Sequence, residues 1–389
     1  DTLFPASDVR EFDGVKVGFI GATLHTAPNM LAPDALLGLQ FEDEVQATNR
    51  AVEALRRQGV HAVVLLIHQG ADGDGTDNSA CGNLSVEMRD ILKRLSPEVD
   101  VVVSGHTHRS YDCTLGRTLL TSTDAYGRRI TRIDLTIDRQ SGDIVAHAAE
   151  NIPVTRDVEP DSAVTAVLDR YRPLVATESR RPVGAITAPI VEAANDAGES
   201  PLGDAVADGM LDATREAHAG GAVVAFMNPG GIRTDLVSSA EDGVPAGVVS
   251  YGDVFKVLPF GNQVLVKSIT GEVLVRLLEA QFDNPAPGEQ RILQVSQGFT
   301  YRYSRARQAG QRVDRASVRV NGQLVQPTAR YRVAMPDFLW TGGDRFTVAR
   351  ESINVTPGLA DVEVFARYVK AHSPLAPPTP DRIHREDAR

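Results

Sequence analysis

Val101-Val102-Val103-Ser104-Gly105-His106-Thr107-His108 is the stretch on which the reading of this chain turns. Three β-branched residues make a short buried strand, Ser-Gly ends it, and two histidines follow at once. The same arrangement occurs earlier, where Ala62-Val63-Val64-Leu65-Leu66-Ile67 runs straight into His68-Gln69-Gly70. In sheets covered by helices, ligands gather in the crevice beyond the carboxyl ends of strands. A lone histidine at such an end is usually a capped loop residue. Three at two strand ends, with a His-x-His pair among them, point instead to metal binding, and imidazole suits zinc, manganese or iron. The two side chains of the pair need not share a direction, so they can serve two neighbouring ions.

Around these strands, Val15–Gly21 reads as a further buried strand, and Phe41–Gln58 and Leu84–Leu95 carry helical spacing. Leu119–Thr123 and Ile130–Ile137 are more strands. Alternating strands and helices with continuous apolar strands predict an α/β domain over 1–150, its sheet covered by helices on both faces. Residues 151–182 read as a linker with a helix from Asp161 to Arg172, broken by Arg180-Arg181-Pro182. A separate α/β unit is expected over 183–373. It has a helix at Leu202–Ala217, a strand at Ala222–Met227, a helix at Gly271–Phe282, and antiparallel strands at 293–303, 313–320 and 330–335. Residues 374–389, rich in proline and charge, are expected to form a loose tail.

The 389 residues, 42% hydrophobic and 23% charged, describe a globular chain of two domains and exclude a disordered or fibrous one. The longest apolar runs are far short of a membrane span. Net charge is −11 with no basic patch against it, which excludes a nucleic-acid polymer as partner. The chain begins Asp1-Thr2-Leu3, without an initiator methionine or a signal peptide, and is expected to be processed or incomplete. Its two cysteines, Cys81 and Cys113, leave a single bridge and two free thiols both open.

Ser104-Gly105-His106-Thr107-His108, together with His68, resembles the last two motifs of the calcineurin-like metallophosphoesterases. Further on, three stretches resemble the C-terminal domain of the secreted 5′-nucleotidases: Asn228-Pro229-Gly230-Gly231-Ile232-Arg233, Leu258-Pro259-Phe260-Gly261-Asn262, and Asp337-Phe338-Leu339-Trp340-Thr341-Gly342-Gly343-Asp344. The resemblance covers nearly the whole chain. It implies the remainder of a metallophosphoesterase β-sandwich flanked by helices, followed by a separate α/β substrate-binding domain. The family's early Asp-x-His, Gly-Asp and Gly-Asn-His motifs do not occur upstream of His68, so the phosphoesterase domain is expected to be N-terminally incomplete. Of the family's two divalent ions, zinc, manganese or similar, His68 and His106 would hold one and His108 the other. Occupancy in this chain is expected to be partial at most, and the family's catalytic histidine has no counterpart. Asp72 and Asp74 read as loop carboxylates.

The resemblance assigns nucleotide recognition to the second domain. Phe260 and Phe338 would sandwich the base. Gly230 and Gly231 would let the backbone approach the ligand, and Arg233 would pair with phosphate or a ribose edge. Asn228 and Asn262 would bind base or ribose, and Asp344 would accept from the ribose hydroxyls. Asp253 reads as a structural turn residue. The family's secreted habit implies a secreted, periplasmic or cell-surface protein with a Cys81–Cys113 disulfide. The activity implied is phosphate release from nucleotides, with a nucleotide or nucleoside as the small-molecule partner. Hydrolysis of UDP-sugars, 2′,3′-cyclic nucleotides or NAD, and a nucleoside-binding module without catalysis, are the alternatives.

Overall fold

The computed structural model describes residues 2–29, 36, 38–71, 84–238, 247–284 and 288–387. The chain divides into two units, Asp1–Pro28 with Gly38–Pro160, and Asn29–Leu37 with Asp161–Arg389. The long helix that follows Pro160 therefore groups with the second unit, whereas the sequence placed it in a linker ending at residue 182.

The first unit contains β1 (Ser7–Phe12), β2 (Val15–Ala22), α1 (Glu44–Arg57), β3 (Ala62–Ile67), α2 (Val86–Arg94), β4 (Val101–Val103), β5 (Ser110–Leu115), β6 (Thr118–Thr123), β7 (Arg129–Ile137) and β8 (Ile144–Pro153). Its sheet runs β1-β2-β3-β4-β6-β5. The four inner strands are parallel and both edge strands antiparallel. Alternate residues of β3 feed two cores. Val63, Leu65 and Ile67 pack with Val45, Val52, Leu55, Met88 and Ile91 of the helices, and Ala62 and Val64 pack on the opposite side. Among the described residues, that opposite face carries no helix, contrary to what the strand pattern implied. The β7–β8 hairpin covers it through Ile133, Leu135 and Ile137. A strand buried on both faces reads the same whatever lies over it, whereas the period-two alternation of β7 permits one apolar face only.

The second unit opens with α3 (Ser162–Ser179), whose Asp161 side chain caps the N–H groups of Ala163 and Val164. The helix passes through Pro173 and buries none of its side chains. It is followed by β9 (Pro182–Ala185), α4 (Pro201–Thr214), β10 (Val224–Met227), β11 (Val248–Ser250), α5 (Tyr251–Val257), β12 (Gln263–Thr270), α6 (Gly271–Glu279), β13 (Gln294–Val295) and β14 (Phe299–Tyr303). The last elements are β15 (Arg319–Val320), β16 (Gln323–Leu324), β17 (Arg330–Pro336), α7 (Asp337–Trp340), β18 (Ile353–Ala360), α8 (Asp361–Ala371) and β19 (Ile383–Arg385). The central sheet runs β13-β10-β17-β12-β18. Val224 and Phe226 of β10, with Val333 and Met335 of β17, join α6 and α7 in one core. Ala225, Met227 and Ala334 join α4 and α8 in the other. Asp253, expected to be structural, closes a capping box with Ser250 at the start of α5.

Residues 374–387 of the expected loose tail pack onto the fold. β19 pairs in parallel with β14, and Leu375 exchanges backbone hydrogen bonds with Ala185 and Thr187. Arg382 is buried on carboxylates of α4. Proline content near a terminus signals poor regular structure, but it cannot reveal a buried arginine with a waiting acidic pocket.

Candidate functional site

β3 and β4 lie side by side in parallel, Leu66 opposite Val103, so the loops after them leave the sheet at one edge. His68 and His106 meet there with ring centroids 5.1 Å apart and planes tilted by 59°. The loops touch closely at Gly70, where a Cβ would stand 2.2 Å from the Gly105 carbonyl and 2.4 Å from Thr107 Oγ1. Thr107 turns inward, its hydroxyl donating to the Ala71 carbonyl at 2.7 Å. The Ala71 N–H donates to the Tyr111 hydroxyl, which also bonds the Ser104 hydroxyl. With Thr107 tied down, both flanking histidines are exposed, and both adopt left-handed backbone, φ +72° at His106 and +56° at His108. Left-handed non-glycine residues are uncommon and cluster at functional sites. The His108 ring stands edge-on to Tyr126 at 5.3 Å.

In kind, the His68–His106 pair fits a divalent ion, since exposed imidazoles on adjacent strand ends are borderline-soft nitrogen donors. Among the described residues, no group of three or more His, Cys, Asp or Glu stands together where a metal could be held. Asp72, Asp74 and Cys81 lie outside the described residues, so the expected loop carboxylates and the Cys81–Cys113 bridge fall there too.

In the second unit, Asn228 follows β10 and opens the turn Pro229–Gly231. It is buried, and its Nδ2 donates to Asp344 Oδ2 at 3.0 Å while its Oδ1 has no hydrogen-bond partner among the described residues. Asp344 is itself buried, with φ +51°, just beyond left-handed Gly342. Its other carboxylate oxygen pairs with Arg291, and Asn284 donates to its carbonyl at 2.8 Å. Burial pushes the Asp344 carboxyl above its ordinary range, against the pull of the Arg291 guanidinium and the Asn228 amide. Gly230 passes over this carboxylate: a Cβ there would lie 3.7 Å from Asp344 Oδ2. At Gly231 a Cβ would stand 2.3 Å from Met227 Cε.

Phe338 is half-buried and lies against Gly343, where a Cβ would come within 2.5 Å of the ring. Phe260 is 59% exposed, and the Arg233 guanidinium stands 5.9 Å from its ring centroid. Arg233 also donates to the Gly230 carbonyl at 3.2 Å. Contacts thus link Phe260, Arg233, Gly230, Asp344 and Asn228, with Phe338 joined through Gly343. Asn262 is engaged elsewhere. Its Nδ2 donates to Asp361 Oδ2 at 3.2 Å, and its carbonyl accepts from the Asp361 N–H at 2.8 Å. Burial pushes the Asp361 carboxyl up to about 6. Sequence reasoning missed Arg291, Asn284 and Asp361. No local pattern marks them, because each acts on a residue far away in the chain.

Residues 182–351 match the family profile of the 5′-nucleotidase C-terminal domain. This part of the chain belongs to that family. The whole chain is also 29% identical to Endonuclease YhcR of Bacillus subtilis, covering 100% of this chain and 30% of that protein. It is 29% identical to Cell wall protein Lmo0130 of Listeria monocytogenes, over 93% of this chain and 47% of that protein. The chain therefore spans less than half the length of either relative. Among solved structures, the 5′-nucleotidase precursor from Thermus thermophilus superposes with a TM-score of 0.78 at 26% identity, over 99% of this chain and 75% of that one. The relatives and structural neighbours of this chain thus include 5′-nucleotidases.

Proposed function

We propose that this chain is the nucleotide-recognising portion of a metal-dependent phosphohydrolase that releases phosphate from nucleotides. The observation that carries the reading is the set around Asp344. A buried carboxylate is held by Arg291 and Asn228, with Phe338 beside it and the partly exposed Phe260 linked to it through Arg233 and Gly230. Aromatic faces suit a base, and a carboxylate with unused lone pairs suits ribose hydroxyls. His68, His106 and His108 would contribute imidazoles to divalent metal. When bound, such ions neutralise the phosphate and activate water. This chain's own part in that chemistry is to present the imidazoles at one sheet edge and to hold the nucleoside. The extracellular setting and the Cys81–Cys113 bridge belong to the same reading, which mass measurement before and after reduction checks.

The second reading, a nucleoside-binding module without turnover, is favoured for this chain alone by the missing third metal donor among the described residues. The test is calorimetric titration with adenosine beside a phosphate-release assay on AMP with added Mn²⁺ or Zn²⁺. The expected result is saturable adenosine binding with little or no release. Robust turnover that His106→Ala abolishes would show that this chain completes the metal site. Failure to bind any nucleoside would remove the recognition reading.

A further inference from the structure

Arg291 plays no part in the motifs that point to nucleotide binding, yet it is the charged side chain committed to the most buried carboxylate of that site. It approaches from the segment ahead of β13 and pairs with Asp344 Oδ1, while Asn228, following β10, takes Oδ2. Asn284, following α6, holds the Asp344 backbone through its carbonyl. Arg350 anchors the same loop from the other side by donating to the Thr341 carbonyl, and Arg345, next in the chain, is exposed. Asp344 is thus fixed at both oxygens and at its backbone, in a left-handed conformation that these bonds hold in place. A carboxylate offers about four acceptor positions. Two are taken here, which leaves one on each oxygen for a pair of adjacent hydroxyls.

We propose that Arg291 is a positioning residue for ribose recognition: its ion pair, opposed by the Asn228 amide, aims the Asp344 carboxylate, fixes its charge and so selects the 2′,3′-diol of a ribonucleoside. This deepens the nucleoside reading above and rests on it. Without the guanidinium, only the Asn228 amide opposes burial at Asp344, and a protonated carboxyl gives up acceptor capacity that the diol needs. The penalty is therefore pH-dependent, being largest in acid and shrinking as the carboxyl ionises. It also falls more heavily on the ligand with both hydroxyls.

The test is calorimetric titration of the 389-residue chain with adenosine and with 2′-deoxyadenosine, near pH 6 and near pH 9, for wild type, Arg291→Lys and Arg291→Met. Arg291→Met is expected to weaken adenosine binding about tenfold or more near pH 6. Part of that loss should return near pH 9, with a smaller change for 2′-deoxyadenosine. Arg291→Lys, which keeps the charge, should retain most of the preference for the ribonucleoside. Equal weakening of both nucleosides at both pH values, or no weakening at all, overturns the inference. A melting curve for each variant identifies loss of folding, and the lysine variant then decides alone: a pH-independent loss in a folded Arg291→Lys protein also overturns it. Absence of wild-type binding to either nucleoside strikes the nucleoside reading itself, so the two failures are distinct.

Discussion

Phe260 and Phe338 stand in similar glycine-flanked loops in the sequence but in different physical situations. Phe260 is mostly exposed and touches Arg233, whereas Phe338 is half-buried and packs against the core and Gly343. Phe260→Ala should leave the melting temperature nearly unchanged and weaken adenosine binding by about 1–3 kcal/mol. Phe338→Ala should weaken binding similarly and also destabilise the fold by about 1–3 kcal/mol, since its ring contributes packing as well. Urea denaturation beside calorimetric titration separates the two effects. Equal stability losses for both variants would count against a ligand role for Phe260. Asp361 allows a pH experiment at the same scale. Its carboxyl in the folded chain titrates at about 6, so the folded state holds the proton more tightly than the unfolded one. Between the ordinary carboxylate range and about 6, rising pH therefore removes stability through this group. Asp361→Asn should match wild type near pH 4 and exceed it near pH 8 in denaturant titrations. A variant less stable than wild type near pH 8 would mean that the carboxylate's bonds to Val362 and Asn262 outweigh its desolvation.

At the scale of elements, the carboxyl-terminal strand depends on one side chain. Arg382 donates to both oxygens of Asp208 at 2.8 and 2.9 Å and to the Val295 carbonyl at 2.7 Å, and its Nε lies 3.6 Å from Asp204. Glu199 accepts from the backbone N–H groups of Arg382 and Ile383. Burial pushes the Asp204 carboxyl well above its usual range. Removing the cation from this nest leaves buried acids without a counter-charge, which typically costs about 3–5 kcal/mol. Arg382→Met is thus expected to lower stability by that order and to speed hydrogen exchange in Ile383–Arg385 and its partner strand Phe299–Tyr303. Unchanged exchange in both strands would mean that backbone pairing and Leu375 hold the segment without the ion cluster.

Across the whole molecule, the two units differ in how their apolar residues are packed. The second has two cores on either side of its central sheet, together drawing on most of its elements. In the first, a cavity of about 890 Å³ opens among Leu3, Phe4, Ile20, Leu39, Ala51 and Leu66. Unfilled apolar space forfeits packing contacts. Calorimetry should therefore show two transitions, the first unit unfolding at the lower temperature. Adenosine should raise only the upper one, because a ligand stabilises the unit that binds it. Leu65→Ala, in the first unit's core, should lower only the lower transition, by about 2–5 kcal/mol. A single transition shifted by both would show that the units unfold together.

The sequence by itself marked strands β2, β3, β4, β6, β7 and β10 and helices α1, α2, α4 and α6, the edge of the sheet at which His68, His106 and His108 emerge, and the glycine-rich loops that carry Asn228, Phe260, Phe338 and Asp344. These were legible because apolar runs, turn residues and motif spacings are local signals, each complete within about a dozen residues. Tertiary structure alone decided what covers the far face of the first sheet, where the carboxyl-terminal strand is held, and which groups face Asp344. Arg291 reaches Asp344 across 53 residues and Asn228 across 116, and Arg382 reaches Asp208 across 174. Such pairings are chosen by the shape and charge of the space where distant segments meet. A carboxylate driven inside must find a cation or a donor there, whichever segment supplies it.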